Sequence, residues 1–284
     1  MRIKEYRSYF IKELTPIYDV GEVESFFYLI LEDKQQLRRI DLALTPDLSF
    51  SERDVLLWDE LVQQLKLEIP IQYLLGKTSF YGLDFAVNDA VLIPRQETEE
   101  LVDWIVSTVN SEKADLPLRI LDIGTGSGCI AISLAKNIKN ATVFAIDVSE
   151  EALAIARKNA ANNNVVITFI FQNILETVDL EQRFDIIVSN PPYVRNLEKE
   201  EIKKNVLDNE PHLALFVADD DALIFYTKIA QLAQKNLTSS GHLFFEINQY
   251  LGQEMVELLQ SLNFKNIELR KDIYGNDRMT KALI

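Results

Sequence analysis

The spacing of apolar residues divides the chain into a helical beginning and a longer mixed part. Within residues 51–70, "SERDVLLWDELVQQLKLEIP", Ser51 can cap a helix and Asp54 lies in its first turn, near the positive end of the helix dipole. The apolar residues that follow recur at intervals of three and four, which is typical of one buried helix face: Val55, Trp58, Leu61, Val62 and Leu65. Together with the similar segment "EVESFFYLILEDKQQLRRI", this predicts a bundle of three or four helices over residues 1–75.

After residue 72 the apolar positions alternate, which is typical of strands. In "TSFYGLDFAVNDAVLIPR" the alternating residues are interrupted at Gly82 and at Asn88-Asp89, where turns are favoured. We therefore predict a β-hairpin over residues 78–94, within a linking segment of residues 76–95. The following segment, "RQETEELVDWIVSTVN", predicts a helix whose first turn is rich in acids, where the helix dipole favours them.

From residue 117 onward, strand-length apolar runs alternate with helical segments. The strand candidates are "LRILDIG", "ATVFAIDV", "VITFIFQN", "FDIIVSN" and "SGHLFFEIN", and helical patterns such as "GCIAISLAKN" lie between them. This order predicts an α/β domain over residues 96–284, with a doubly wound parallel sheet covered by helices on both faces. The tail "KNIELRKDIYGNDRMTKALI" adds two strands around Gly275-Asn276, predicted as an antiparallel hairpin at the sheet edge. The sheet then has seven strands.

Composition and charge narrow the functional classes. The 284 residues are 48% hydrophobic, and 29 basic against 44 acidic side chains give a net charge of −15. That charge disfavours direct binding to nucleic acid, which requires clustered cations. A single cysteine, Cys129, excludes a disulfide framework, and the two isolated histidines indicate no metal site. No apolar run approaches the ~18 residues of a membrane span, so we expect a soluble cytoplasmic protein and, without a coiled-coil repeat, a monomer.

The segment "ILDIGTGSGCIAIS" places Gly124, Gly126 and Gly128 between the first strand and its helix. Glycines there permit a sharp turn and the close approach of a ligand to the backbone. Their G-x-G-x-G spacing differs from the G-x-G-x-x-G of dinucleotide enzymes, but a dinucleotide is not excluded. Asp122 precedes the first glycine and could hold the charged end of a methionine-type ligand.

The ends of the next two strands supply further candidates for a nucleoside site. Asp147 ends "FAIDV", where an acid can accept hydrogen bonds from ribose hydroxyls, although it could instead cap the following helix. Asn173 ends "FIFQN" and could bond an adenine edge, or only form a turn. Ile174 could pack on the adenine face. Cys129 is predicted to be a small buried residue rather than a nucleophile.

The corner "SNPPYV" is predicted to hold a planar NH2 group. Its strand ends at Ser189, beside the first strand at the topological switch point of a doubly wound sheet. The Asn190 side-chain oxygen and a carbonyl of the Pro191-Pro192 pair form two fixed acceptors, since prolines offer no amide donor. Tyr193 offers a flat π surface. Two such acceptors could position an amide nitrogen for attack on an electrophilic methyl group.

These motifs resemble those of known methyltransferases. "DIGTGSG", Asp147 and "NPPY" are similar to class I S-adenosylmethionine-dependent methyltransferases that modify planar amino groups. From about residue 70 to the end, "PIQYLLGKTSFYGLDF", "VLIPRQETEELVDW", "EPHLAL", "FFEIN" and "DIYGNDRM" resemble the HemK/PrmC release-factor glutamine methyltransferases. The segment from Arg95 to Glu99 favours this branch over the related enzymes that act on a ribosomal-protein glutamine.

The resemblance implies a Rossmann-like methyltransferase sheet that binds S-adenosyl-L-methionine and releases S-adenosyl-L-homocysteine. It implies that Asn190, Pro191, Pro192 and Tyr193 hold the glutamine of a Gly-Gly-Gln loop in a peptide-chain release factor, which the N-terminal bundle and hairpin help to dock. The predicted cofactor residues are Asp122, Gly124, Thr125, Gly126, Ser127, Gly128, Asp147, Asn173, Ile174 and Asn190.

Three positions depart from the family pattern. Gln96 replaces a usual proline, Ile174 stands where an aromatic residue often packs on the adenine, and Ala222 replaces a usual glycine. Other functions stay open at this stage: an adenine amino methyltransferase on DNA or RNA, a methyltransferase of a ribosomal-protein glutamine, a nicotinamide-dependent dehydrogenase, and a non-enzymatic adaptor.

Overall fold

The structure, a computed structural model, describes residues 1–112 and 116–284. The chain forms two units. The helical unit comprises Met1–Gly76 and Lys204–Asn209, and the sheet unit comprises Lys77–Lys203 and Glu210–Ile284. The helices are α1 (Ile3–Leu14), α2 (Val20–Gln35), α3 (Arg39–Leu44), α4 (Glu52–Lys66), α5 (Ile71–Leu75), α6 (Gln96–Glu112), α7 (Cys129–Asn137), α8 (Glu150–Asn162), α9 (Lys204–Asn209), α10 (His212–Leu215), α11 (Ile224–Asn236) and α12 (Gly252–Ser261).

The strands alternate with helices in the sheet unit, as the sequence predicts. They are β1 (Lys77–Phe80), β2 (Leu83–Ala86), β3 (Leu118–Ile123), β4 (Ala141–Asp147), β5 (Ile167–Phe171), β6 (Phe184–Ser189), β7 (Val194–Arg195), β8 (Phe216–Val217), β9 (Leu237–Glu246), β10 (Lys265–Lys271) and β11 (Asp277–Leu283). Among the helices of the described residues, none is both long and apolar enough to cross a lipid bilayer.

Helix α4 of the helical unit begins after Ser51, as predicted. The Ser51 hydroxyl accepts a hydrogen bond from the Asp54 amide at 3.2 Å, and the Asp54 carboxylate accepts one from the Ser51 amide at 2.9 Å. This reciprocal pair satisfies two amides that the helix cannot satisfy itself. Trp58 is fully buried on the predicted face and contacts the rings of Phe27 and Phe50, each at 4.9 Å between centroids.

The number of helices in this unit is higher than predicted. Residues 1–76 contain five helices instead of three or four. The two shortest, α3 and α5, have only six and five residues. Helices of fewer than two turns do not repeat an apolar spacing often enough to be recognised.

A segment from far along the chain completes the helical unit. Helix α9 lies in this unit, and both of its ends contact Glu68. The Lys204 ammonium lies 3.0 Å from the Glu68 carboxylate, and the Asn209 side chain donates to the Glu68 carbonyl at 3.3 Å. The helical unit is therefore built from two separate stretches of sequence.

The central sheet has the strand order β5-β4-β3-β6-β9-β11-β10. The first five strands are parallel, β11 is antiparallel to β9, and β10 is antiparallel to β11. This confirms the predicted doubly wound seven-stranded sheet and its antiparallel edge hairpin. The pairing of β3 with β6 places Ile123 opposite Ser189, so the glycine loop and the proline corner leave the sheet side by side.

Each face of the sheet has its own apolar core because alternate residues of a strand point to opposite sides. In β9, Phe244 packs against Trp104 of α6 at 5.5 Å between ring centroids, whereas Phe245 packs against Tyr226 of α11 at 5.2 Å. Burying one such ring stabilises the fold by about 1.5–3 kcal/mol. The rigid scaffold holds the strand ends that carry the predicted site.

The predicted hairpin is present but shorter than expected. Strands β1 and β2 pair in an antiparallel register, and Tyr81 and Gly82 form the turn with φ of 49° and 73°. Positive φ at both positions is typical of a two-residue hairpin turn. The prediction that the hairpin extends to residue 94 is wrong, because β2 ends at Ala86 and the structure describes residues 87–94 as turns and loop. The Ile93 amide instead donates to the Glu210 carboxylate at 3.2 Å.

Candidate active site

A cavity of about 400 Å³ lies at the carboxyl ends of β3, β4 and β6. That volume is in the range of small-molecule and cofactor sites. Ten of the thirteen predicted site residues line it, whereas Asp122, Gly128 and Tyr193 lie outside its lining. The lining residues are Gly124, Thr125, Gly126, Ser127, Asp147, Asn173, Ile174, Asn190, Pro191 and Pro192.

The three glycines of the loop after β3 have two different roles. All three have positive φ, between 54° and 83°, which disfavours other residues. A Cβ atom added to Gly124 or Gly126 would meet no heavy atom within 4 Å, so these two keep space open beside the cavity. A Cβ on Gly128 would lie 2.9 Å from Ile132 Cδ1 and 3.2 Å from Ala156 Cβ. Gly128 therefore permits close packing of α7 and α8.

Asp147 fixes the glycine loop to the end of β4. Its carboxylate accepts hydrogen bonds from the Gly126 amide at 2.8 Å and the Ser149 amide at 3.0 Å. Helix α8 is capped by Ser149, whose hydroxyl accepts from the Ala152 amide at 3.1 Å, so the alternative role of Asp147 as the helix cap is wrong. Each carboxylate oxygen retains a second lone pair that can accept from a ligand hydroxyl. Burial raises the pKa of Asp147.

Asp122 lies beneath the loop and is completely buried. Its Oδ2 accepts a hydrogen bond from the Thr125 hydroxyl at 2.6 Å, and its Oδ1 has no partner among the described residues. Burial raises the pKa of Asp122 to about 7. In this structure Asp122 supports Thr125, which lines the cavity, and does not itself reach the cavity.

We expect Asp122 to make the unfolding free energy depend on pH. Because its pKa of about 7 in the folded state exceeds its ordinary value, the folded state binds the proton more tightly, and stability falls as the pH rises from about 4 to 7. Three pKa units correspond to about 4 kcal/mol. Asp122→Asn should remove this decline while still accepting from Thr125. Urea unfolding at pH 4, 6 and 8 measures the difference, and equal pH dependence in both proteins would contradict it.

Asn173 and Ile174 line the cavity beyond the end of β5. The Asn173 oxygen accepts from the Leu175 amide at 3.0 Å, and its NH2 group donates to Glu176 at 2.9 Å. Asn173 thus forms a turn, which was one of its two predicted roles. Cys129 also lines the cavity, and burial raises the pKa of its thiol to about 12, so the thiol stays protonated.

The proline corner opens on the same cavity as the glycine loop. Asn190 donates from Nδ2 to the Thr98 hydroxyl at 3.3 Å. Among the described residues no donor contacts its Oδ1, which leaves this oxygen for a ligand. Pro191 is buried and Pro192 half-buried, and both line the cavity. Tyr193 instead packs into one core of the sheet unit and donates to Glu246 at 3.1 Å.

Comparisons with known proteins identify the family. Residues 103–213 match the model of the methyltransferase small domain. The release factor glutamine methyltransferase of Flavobacterium psychrophilum is 63% identical over 99% of each chain. The release factor glutamine methyltransferase of Bacteroides thetaiotaomicron is 44% identical over 97% of this chain and 98% of its own. This chain belongs to the release factor glutamine methyltransferase family.

Membership in this family confirms the resemblance seen in the sequence motifs, and the chain is a methyltransferase. The crystal structure of a methyltransferase from Pyrococcus furiosus has the same fold. Its TM-score is 0.51 at 20% identity, over 72% of this chain and 90% of that one. Of the three positions that depart from the glutamine methyltransferase pattern, Ile174 is the one found in the lining of the described cavity.

Two buried residues that contact the proline corner are not among the sites predicted from the sequence. Thr98 is 2% exposed and lines the cavity, and Glu246, 148 positions later, is 1% exposed. The Thr98 hydroxyl donates to Glu246 at 2.6 Å. Both positions could have been recognised in the sequence. Thr98 lies on the apolar face of α6, three residues before Leu101, and Glu246 is an acid at the end of the apolar run of β9. A polar residue at a buried position is the informative kind of exception.

A second buried carboxylate holds a segment that lines the cavity. Glu210 is 3% exposed, and its Oε1 lies 2.6 Å from the Arg95 guanidinium while its Oε2 accepts from the Ile93 amide. Arg95 lines the cavity together with Pro94. The "IPR" and "EPH" segments of the family are therefore fastened to one another by a charge-assisted pair.

Proposed function

We propose that this protein transfers the methyl group of S-adenosyl-L-methionine to the side-chain amide nitrogen of the glutamine in the Gly-Gly-Gln motif of peptide-chain release factors. One observation carries the proposal: the Asn190 corner and the glycine loop open on a single cavity. The relatives named above, which match almost the whole chain, support release factor glutamine as the substrate.

The residues of the cavity fit S-adenosyl-L-methionine. Gly124 and Gly126 leave space where any larger residue would place a side chain, and Asp147 retains acceptor capacity for ribose hydroxyls. Asn173 and Ile174 provide a polar and an apolar surface for an adenine. When bound, S-adenosyl-L-methionine would supply an electrophilic methyl group, whose bond to sulfur breaks and leaves the neutral thioether S-adenosyl-L-homocysteine. The predicted cofactor role of Asp122 is indirect here, through Thr125.

Asn190 and a proline carbonyl orient the substrate amide. An amide nitrogen is a poor nucleophile because its lone pair is delocalised into the carbonyl group. The Asn190 Oδ1 and the proline carbonyl each accept a hydrogen bond from one N–H of the substrate amide. These two bonds fix the position of the amide nitrogen and favour its pyramidal form. The same acceptors stabilise the positive charge that develops on the nitrogen as the new bond forms. One N–H proton then passes to water, so the product is a neutral methylamide and no buried base is required.

The Tyr193 ring lies outside the cavity lining, and its hydroxyl donates to Glu246. Its contribution in the proposed reaction is to hold the corner in place. Direct contact between this ring and a bound glutamine stays a prediction.

A labelling experiment tests the proposal. The protein is incubated with methyl-labelled S-adenosyl-L-methionine and a purified release factor, and the modified peptide is identified by mass spectrometry. We expect one methyl group on the Gly-Gly-Gln glutamine and none on a factor in which this glutamine is replaced by alanine. Label on a ribosomal-protein glutamine or on adenine of DNA or RNA, with none on the release factor, would overturn the assignment.

The proposed partner is the release factor itself, docked with help from the helical unit. We propose that the enzyme acts as a monomer in the cytoplasm, where translation ends, and without direct contact to nucleic acid. The net charge of −15 supports the last point, because it opposes binding to phosphates.

A further inference from the structure

We propose that Thr98 and Glu246 are positioning residues that hold the Asn190 side chain with its amide oxygen, rather than its NH2 group, toward the substrate. This inference rests on the proposed function, in which Asn190 accepts an N–H group of the glutamine amide. The shape of the Asn190 side chain does not determine which end of its amide faces the substrate, since the oxygen and nitrogen ends are almost equal in shape.

The three side chains form a continuous hydrogen-bonded chain that ends on Asn190. Glu246 Oε2 accepts from the Thr98 hydroxyl at 2.6 Å, and Glu246 Oε1 accepts from the Tyr193 hydroxyl at 3.1 Å. Thr98 Oγ1 lies 3.3 Å from Asn190 Nδ2. The buried Glu246 carboxylate thus contacts Tyr193, which follows the two prolines, directly, and Asn190, which precedes them, only through Thr98.

The chemistry of these groups fixes the direction of each hydrogen bond. An ionised carboxylate only accepts, so both hydroxyls must donate to Glu246. Thr98 has a single hydroxyl proton, and once that proton is directed at Glu246 its oxygen can only accept from Asn190. The NH2 group of Asn190 must therefore face Thr98, which leaves Oδ1 for the substrate. If the Asn190 amide were reversed, its N–H groups would face the N–H groups of the substrate amide and would repel them.

Tyr193 and the charges around Glu246 are consistent with this pattern. Burial and the nearby Glu246 carboxylate raise the pKa of Tyr193, so the phenol keeps its proton and donates. Burial also raises the pKa of Glu246, and Glu97 adds to this effect, while Thr98, Arg278 and Tyr193 oppose it. The Tyr226 hydroxyl donates to the backbone carbonyl of Glu246 at 3.1 Å, which holds this residue from the other face of the sheet.

Substitutions at Thr98 separate hydrogen bonding from packing. Thr98→Val keeps the shape but removes the hydroxyl, and we expect it to lower kcat about ten- to a hundred-fold with little change in the cofactor Kd. Thr98→Ser keeps the hydroxyl but removes the methyl group, and it should recover kcat to within about three-fold of wild type, because the loss of one methyl costs little beside the lost hydrogen bond. Thr108→Val is the matched control, since Thr108 is buried on the same helix outside the cavity lining.

Glu246→Gln provides an independent test through its pH profile. A glutamine presents a donor to one of the two hydroxyls, so the direction of the chain is no longer fixed. In wild type, protonation of Glu246 should also remove the fixed direction of the hydrogen bonds. The kcat of wild type should therefore fall as the pH is lowered through the raised pKa of Glu246. We expect this acid limb to be absent in E246Q, with a low kcat at every pH. Thermal unfolding of each variant verifies that it is folded.

The outcomes distinguish this inference from the proposed function. If wild type methylates the Gly-Gly-Gln glutamine but T98V has the same kcat as wild type, the positioning role is wrong and the proposed function stands. The positioning role is also wrong if T98S is as slow as T98V, since packing would then explain both. If wild type does not methylate this glutamine, the proposed function fails before any variant is compared.

Discussion

Replacing Asn190 with alanine is expected to lower kcat about a hundred- to a thousand-fold while the cofactor Kd changes less than about three-fold, as for the loss of one polar group that acts mainly in the transition state. Asn190 Oδ1 is the side-chain oxygen of the proline corner that is proposed to accept from the substrate, and its loss leaves the substrate amide held on a single side. The backbone of the corner is unchanged because the two prolines restrict it. Single-turnover methylation of a release factor and calorimetry of cofactor binding measure the two quantities separately.

A matched control exists on α7. Asn137 is exposed and lies outside the cavity lining, where its side chain donates to the Ser133 carbonyl at 2.8 Å. Asn137→Ala should leave both kcat and Kd unchanged. If Asn190→Ala retained full turnover, the proline corner would not hold the reacting amide, and a non-enzymatic role of the corner would have to be considered.

Replacing Asp147 with alanine is expected to raise the Kd for S-adenosyl-L-methionine about a hundred-fold or more. The carboxylate anchors Gly126 and Ser149 and is the acceptor proposed for the ribose hydroxyls. Hydrogen bonds to a charged group contribute about 1.5–3 kcal/mol each, so the loss of two corresponds to a hundred-fold or larger change. Isothermal calorimetry with S-adenosyl-L-homocysteine provides the measurement.

Asp179 supplies the control for this substitution. It is an exposed aspartate outside the cavity lining whose Oδ1 accepts from the Glu181 amide at 2.7 Å, so Asp179→Ala also removes a carboxylate that binds backbone. The cofactor affinity of the Asp179→Ala variant should equal that of wild type. Competition with a nicotinamide dinucleotide in the same experiment tests the other cofactor class. Displacement of S-adenosyl-L-homocysteine by the dinucleotide would contradict a methyltransferase site.

The sheet and the position of its cavity were predictable from the sequence because both depend on local patterns. Strand-length apolar runs gave the seven strands, and the glycine loop and proline corner mark the ends of β3 and β6. In a doubly wound sheet these two strands are neighbours, and the register of Ile123 with Ser189 confirms it. The edge hairpin around Gly275 followed from its turn residues in the same way.

The burial of Asp122 and the packing of Tyr193 were not predicted from the sequence, because they depend on contacts formed only in the folded chain. Asp122 lies near the end of the apolar strand β3 and Asp147 ends β4. Only the packing of the loop determines that Asp122 is buried beneath Thr125 while Asp147 lines the cavity. The Tyr193 hydroxyl donates to Glu246, 53 positions later, and its ring packs against a core of the sheet unit, outside the cavity lining. Such pairs leave no periodic signal, so neither propensity nor spacing reveals them.

The short helix α9 limits how this protein can be divided by engineering. The chain leaves the helical unit after Gly76, re-enters it at Lys204 and leaves it again after Asn209. An expression fragment that starts at Lys77 would therefore carry a helix whose partner, Glu68, has been deleted. The two units are joined by three peptide connections, and isolating the catalytic part requires replacing residues 204–209 as well as removing the first 76.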